Sequence, residues 1–72
     1  MTLTVEYADD VVEIFADREG LDSLVRTLER LKQRGGHDHL MTPSWAGQEL
    51  TETKHDPAST LINHLRITVV ES

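Results

Sequence analysis

The spacing of apolar positions changes twice along the chain, and those changes divide it into elements. Leu3, Val5 and Tyr7 alternate with Thr4 and Glu6, and Val12 and Ile14 continue the spacing on either side of Glu13. A period of two places successive side chains on opposite faces, so both runs predict half-buried strands. Between them stand Ala8, Asp9 and Asp10. Aspartate is depleted in strands and bonds readily to its own backbone, which makes this break a hairpin turn and the two strands antiparallel neighbours.

From Asp17 the period becomes helical. Leu21, Leu24, Val25, Leu28 and Leu31 draw an apolar stripe on a helix expected from Asp17 to Arg34, with Leu21, Leu24, Leu28 and Leu31 facing the sheet. On this reading Leu28→Ala is the most damaging substitution in the helix. Asp17 is the expected N-cap, because its carboxylate accepts from an orphan amide and meets the positive end of the macrodipole; Lys32 and Arg34 stand near the negative end. Gly35 and Gly36 then stop the helix, since glycine adopts the left-handed conformation without a Cβ clash.

Alternation returns in Leu61 to Val70, with Leu65, Ile67 and Val69 inward and His64, Arg66 and Thr68 outward. His37 to Thr42 predicts a further strand, closed by Pro43, which lacks the amide that a central ladder needs. Residues 43–59 read as loop, with room for a short strand at Glu49-Leu50-Thr51. The predicted architecture is one α+β domain over residues 1–72: strand, strand, helix, strand, strand, a mainly antiparallel sheet with one helix packed on one face. The opposite face stays open and carries Glu13, Phe15, His37, His39, Met41, His64 and Arg66.

Composition narrows the function. A chain of 72 residues lies near the size at which a core barely outweighs chain entropy, so covering the open face with a second copy would help. There is no cysteine, hence no disulfide and no thiolate zinc. No basic stretch leads into an apolar run at the N-terminus, and no apolar segment approaches membrane-spanning length; a soluble, cytoplasmic protein is expected. With 13 acidic against 7 basic residues the formal charge is -6. That balance excludes a nucleic-acid reader, which needs a basic stripe, and favours a partner with a basic surface.

The chemistry concentrates between His37 and His55, HDHLMTPSWAGQELTETKH, where neither period persists and where three of the four histidines and the single Trp fall. Binding residues accumulate on such loops when a rigid scaffold holds them. His37 and His39 share a strand face and His64 could supply a third nitrogen, with Glu13 nearby, so an alternative reading is a small dimeric metal- or ligand-binding domain. A fourth anchor is missing, and the expectation is no metal and no cofactor. Neither a nucleophile elbow, a phosphate loop nor a His-Glu-x-x-His motif occurs, so the chain does not read as an enzyme. Glu49, Glu52 and Asp56 are expected as exposed carboxylates of an acidic loop that contribute little to folding and meet the partner. Trp45, between Pro43 and Gly47, is expected to fold back as core area, the other option being an anchor for a partner. The residues expected to meet a partner are His37, His39, Trp45, Glu49, Glu52, His64 and Arg66.

Three segments, His39-Leu40-Met41-Thr42-Pro43-Ser44-Trp45, Glu49-Leu50-Thr51-Glu52 and Ile62-Asn63-His64-Leu65-Arg66-Ile67, together with Gly20-Leu21 opening the helix, resemble those of small bacterial immunity proteins. The chain is similar to the immunity protein 32 family over most of its length, the Trp-containing block being the most specific part. The resemblance implies a non-enzymatic protein, encoded beside a polymorphic toxin, that binds the toxin in the producing cell and blocks it. It assigns no catalytic or metal role to His37, His39 or His64.

Overall fold

The fold was taken from a computed structural model, which describes residues 1–71. β1 (Leu3–Ala8) and β2 (Val11–Ala16) form the expected antiparallel hairpin, with Leu3 opposite Ala16 and Ala8 opposite Val11. Asp9 and Asp10 both take positive φ, 52° and 65°. This is the two-residue turn whose twist matches that of the strands it joins. The helix α1 (Arg18–Arg34) is capped by Asp17, whose Oδ1 accepts from the Gly20 amide at 2.7 Å. It ends at Gly35, with φ 76° and its amide donating to the Leu31 carbonyl. There follow β3 (His37–Met41), a single 3₁₀ turn (Pro43–Trp45), β4 (Thr60–Leu61) and β5 (His64–Thr68).

The expected four-strand sheet is divided. β4 pairs with β1 to give the order β2-β1-β4, and β5 pairs with β3 in a separate antiparallel ladder. The break falls at Ile62 and Asn63, where the Ile62 amide bonds to the Val5 carbonyl and the Asn63 carbonyl accepts from the Thr42 amide. Residues 49–51 form no strand. Their amides nevertheless close the gap, Leu50 donating to the Met41 carbonyl and Thr51 to the Leu3 carbonyl. Leu50 thereby enters the core from a loop. It joins Leu3, Val5 and Leu40, all at most 2 % exposed, with Ala16, Leu24, Ile62, Leu65 and Ile67 packed around them.

The helix docks through a different flank from the one expected. Gly20, Thr27 and Leu31 are buried and Leu24 is half-buried, whereas Leu21, Val25 and Leu28 remain 49 %, 50 % and 44 % exposed. Two contacts set this rotation. A Cβ on Gly20 would lie 1.8 Å from the Thr2 carbonyl oxygen, so the first turn presses on the start of β1 in a way only glycine permits. At the other end Arg30 and Arg34 reach the Asp38 carboxylate at 3.4 and 3.8 Å, tying the last turns to β3. Leu28 is therefore not a core residue, and Leu31 takes the place expected for it.

Candidate recognition face on the outer side of the strands

The β3–β5 register places His37 opposite Thr68, His39 opposite Arg66 and Met41 opposite His64. Directly opposed residues share a face. Asp38 and Leu40, opposed to Ile67 and Leu65, point to the helix and core. The other parity sends His37, His39, Met41, His64 and Arg66 outward together, as strand alternation predicts.

Four rings line up across this face. His37 and His39 meet edge to face at 4.9 Å between centroids, His39 and His64 lie 4.9 Å apart, and His64 and Trp45 lie 5.8 Å apart. His39 Nδ1 and His64 Nε2 are 2.7 Å apart and share a hydrogen bond. Such a bond needs one nitrogen protonated and the other bare, so the contact is incompatible with two imidazolium rings. The His39 pKa is lowered, first by loss of water around its ring and then by the positive charge of His64, His37 and Arg66, against which Asp38 acts weakly.

Trp45 overturns its expectation. It is 54 % exposed and caps the end of the ring row instead of completing the core. The turn that carries it is closely determined. Thr42, wholly buried, donates through its hydroxyl to Asn63 Oδ1 at 2.7 Å, and its carbonyl accepts the amides of Trp45 and Gly47. Ala46 adopts φ 63°. Gly47 packs so closely on Met41 that a Cβ would fall 2.4 Å from the Met41 carbonyl oxygen.

Glu49 and Glu52 are exposed as expected, but each is also hydrogen-bonded to the chain. Glu49 Oε1 accepts the Met41 amide at 3.0 Å, while Glu52 Oε2 accepts both the Ser44 amide at 3.2 Å and the Ser44 hydroxyl at 2.6 Å. Both side chains are exposed, yet both brace the backbone from which Trp45 projects. Asp56 sits apart, its Oδ1 accepting the Ala58 amide in a local turn.

Sequence reasoning missed Glu6. Its place in β1 points away from the core like the residues above, but residues 55–59 lie over it and leave it 1 % exposed. Its carboxylate accepts the amides of His55 and Asp56 and the hydroxyl of Ser59. Thr4 beside it is wholly buried and bonds to the Thr51 hydroxyl at 2.7 Å. Phe15, expected on an open face, is stacked on His55 at 4.7 Å. No local signal marks these contacts, since the partners are about forty to fifty positions away.

The alternative metal reading is not favoured by this arrangement. Among the described residues no group of three His, Asp or Glu side chains gathers where one ion could be held, and the facing nitrogens of His39 and His64 are spent on each other. No helix among the described residues is long and apolar enough to cross a membrane.

A family model described as immunity protein 32 matches residues 11–65, from the start of β2 to within β5, and so takes in every residue of the outward face except Arg66 and Thr68. Neither a curated protein nor a solved structure shows significant similarity to the chain.

Proposed function

Since this chain belongs to the immunity protein 32 family, we propose that it binds a cognate protein toxin in the cytoplasm of the producing cell and holds it inactive by occupying its working surface. The protein does no chemistry of its own in this reading and needs no cofactor. The observation that carries the site is the outward row of exposed His37, His39 and Trp45 with half-buried His64 between them, and Arg66 alongside, on a ladder whose turn is pinned by buried Thr42. Trp and Arg are the residues most often found at the energetic centre of protein interfaces, and a fixed turn spares the ordering entropy that binding otherwise exacts. Glu49 and Glu52 stand at the rim. They orient the turn through one oxygen each and add to a net charge of -6, which attracts a toxin with a basic surface.

Coexpression with the product of the adjacent gene tests the reading. The expected result is growth inhibition by that product alone, relief when this protein is present, and a complex on gel filtration. Equal toxicity in both strains with no complex would overturn it.

A further inference from the structure

The helix side of the molecule bears an apolar surface that the core does not use. In the β1–β2 ladder Ile14 stands opposite Val5 and Val12 opposite Tyr7, so these side chains share the core-facing side of the strands. Yet Tyr7, Val12 and Ile14 are 44 %, 61 % and 45 % exposed. On α1, Thr27 and Arg30 border a cleft with Asp38 and Leu40, which turns that flank of the helix toward β3. At about 100° per residue, Leu21, Val25 and Leu28 occupy the opposite flank, toward the β1–β2 half. The outcome is an apolar helical ridge beside a bare apolar shelf.

We propose that this surface is the contact between two copies of the chain, related by a two-fold axis that seats each ridge on the other copy's shelf. A ridge beside a shelf is self-complementary under such an axis, as an isologous interface requires. The area fits. The chain exposes 5171 Å², whereas a folded monomer of its mass exposes about 4,500 Å². The excess over the whole molecule, about 700 Å², is of the order of the roughly 800 Å² that each partner contributes to a stable interface of standard size, and among the described residues six of the ten exposed large apolar side chains lie on this ridge and shelf. Its radius of gyration of 12.5 Å likewise exceeds the roughly 11 Å of a compact domain of this length. Charge selects the occupant. The ridge is bordered along the helix by Arg18, Asp22, Glu29 and Lys32, two of each sign in a chain that is otherwise strongly acidic. Along the ridge a basic partner finds no acidic excess and two copies meet without net repulsion; the acidic turn Asp9-Asp10 lies exposed beyond it, at the end of the shelf.

Sedimentation equilibrium of the full chain, from low micromolar to the highest soluble concentration, decides the matter. The expected result is twice the 8.1 kDa chain mass, reduced to one chain mass by Ile14→Glu and, independently, by Leu28→Glu, with the circular dichroism of both variants unchanged. Trp45→Ala should leave the dimer intact. A wild-type protein that stays monomeric throughout overturns the proposal, as does a dimer that survives both substitutions. A monomer whose toxin binding is abolished by Ile14→Glu would assign the face to the toxin and overturn it equally.

Discussion

On β1 the outward residues Thr4 and Glu6 are roofed by residues 51–59 and are 0 % and 1 % exposed, whereas on β3 and β5 the outward residues His37, His39 and Arg66 remain in water. Residue type does not separate the two halves. Both present polar side chains alternating with Leu, Val or Ile, and both turn away from the same core. What differs is whether a distant segment returns to cover them. A roof obliges each polar atom beneath it to find a partner, and Glu6 meets three donors. A bare ladder leaves its groups to water, which a partner surface can displace. The same outward polar position therefore serves as internal framework in one half and stays open in the other, where the proposed function makes it a contact surface.

The strongest way to break this contrast is to remove the carboxylate under the roof. Glu6→Ala leaves the Ser59 hydroxyl and two amides without an acceptor where water hardly reaches, and stranding buried donors is more damaging than losing an exposed hydrogen bond. It should lower the thermal midpoint further than any other substitution considered below. An unchanged midpoint would mean that the roof is not closed in solution.

The helix offers the same contrast in apolar form. Leu31→Ala deletes a side chain that is 2 % exposed and should cost about 2 to 5 kcal/mol in chemical denaturation. Leu28→Ala touches a half-exposed position and should cost about 1 kcal/mol or less in the monomer. Equal losses would show that the helix docks by the flank its periodicity suggests.

On the bare half the order of effects reverses. Trp45→Ala should change stability by no more than about 1 kcal/mol. Toxin binding should nevertheless weaken by about 2 kcal/mol or more, roughly thirty-fold in Kd, as for other interface anchors. Titration calorimetry alongside a denaturation curve separates the two quantities; a large stability loss with unaltered affinity would place Trp45 in the framework.

The smallest expected effect is a difference in pH window. The His39 pKa lies below its ordinary value, so its contribution to stability is present above the unfolded imidazole pKa of about 6.5 and is lost as pH falls through the folded value. For Glu6, burial pushes the pKa up, but the hydrogen bonds from Ser59, His55 and Asp56 outweigh it and the net shift is downward. Asp17 is lowered as well, by the backbone amides of Thr2 and Gly20. Both carboxylates contribute above an unfolded pKa of about 4 and lose that contribution as pH falls through their folded values. Denaturant midpoints should therefore begin a shallow decline below about pH 6.5 and a steeper one below about pH 4. His39→Asn should abolish the first decline and Glu6→Gln should flatten the second; a single decline insensitive to both would merge the two regions.

Much of the framework was legible from neighbouring residues. The Asp9-Asp10 turn, the Asp17 cap, the Gly35 stop and the alternation of β1, β2 and β5 each rest on interactions within a few positions, where side-chain type and backbone preference act directly. The outward grouping of His37, His39, His64 and Arg66 followed from the same alternation. The rotation of α1 did not, because its apolar residues span a wider arc than the sheet can cover; Gly20 against Thr2 and Asp38 against Arg30 and Arg34 choose among them. Nor did the exposure of Trp45, the bracing roles of Glu49 and Glu52, or the burial of Glu6. Each depends on where a loop without periodicity comes to rest, and loops are placed by contacts between residues eight to about fifty positions apart. Periodicity says which side of a strand a residue faces; what lies over that side is settled when remote segments compete to cover it.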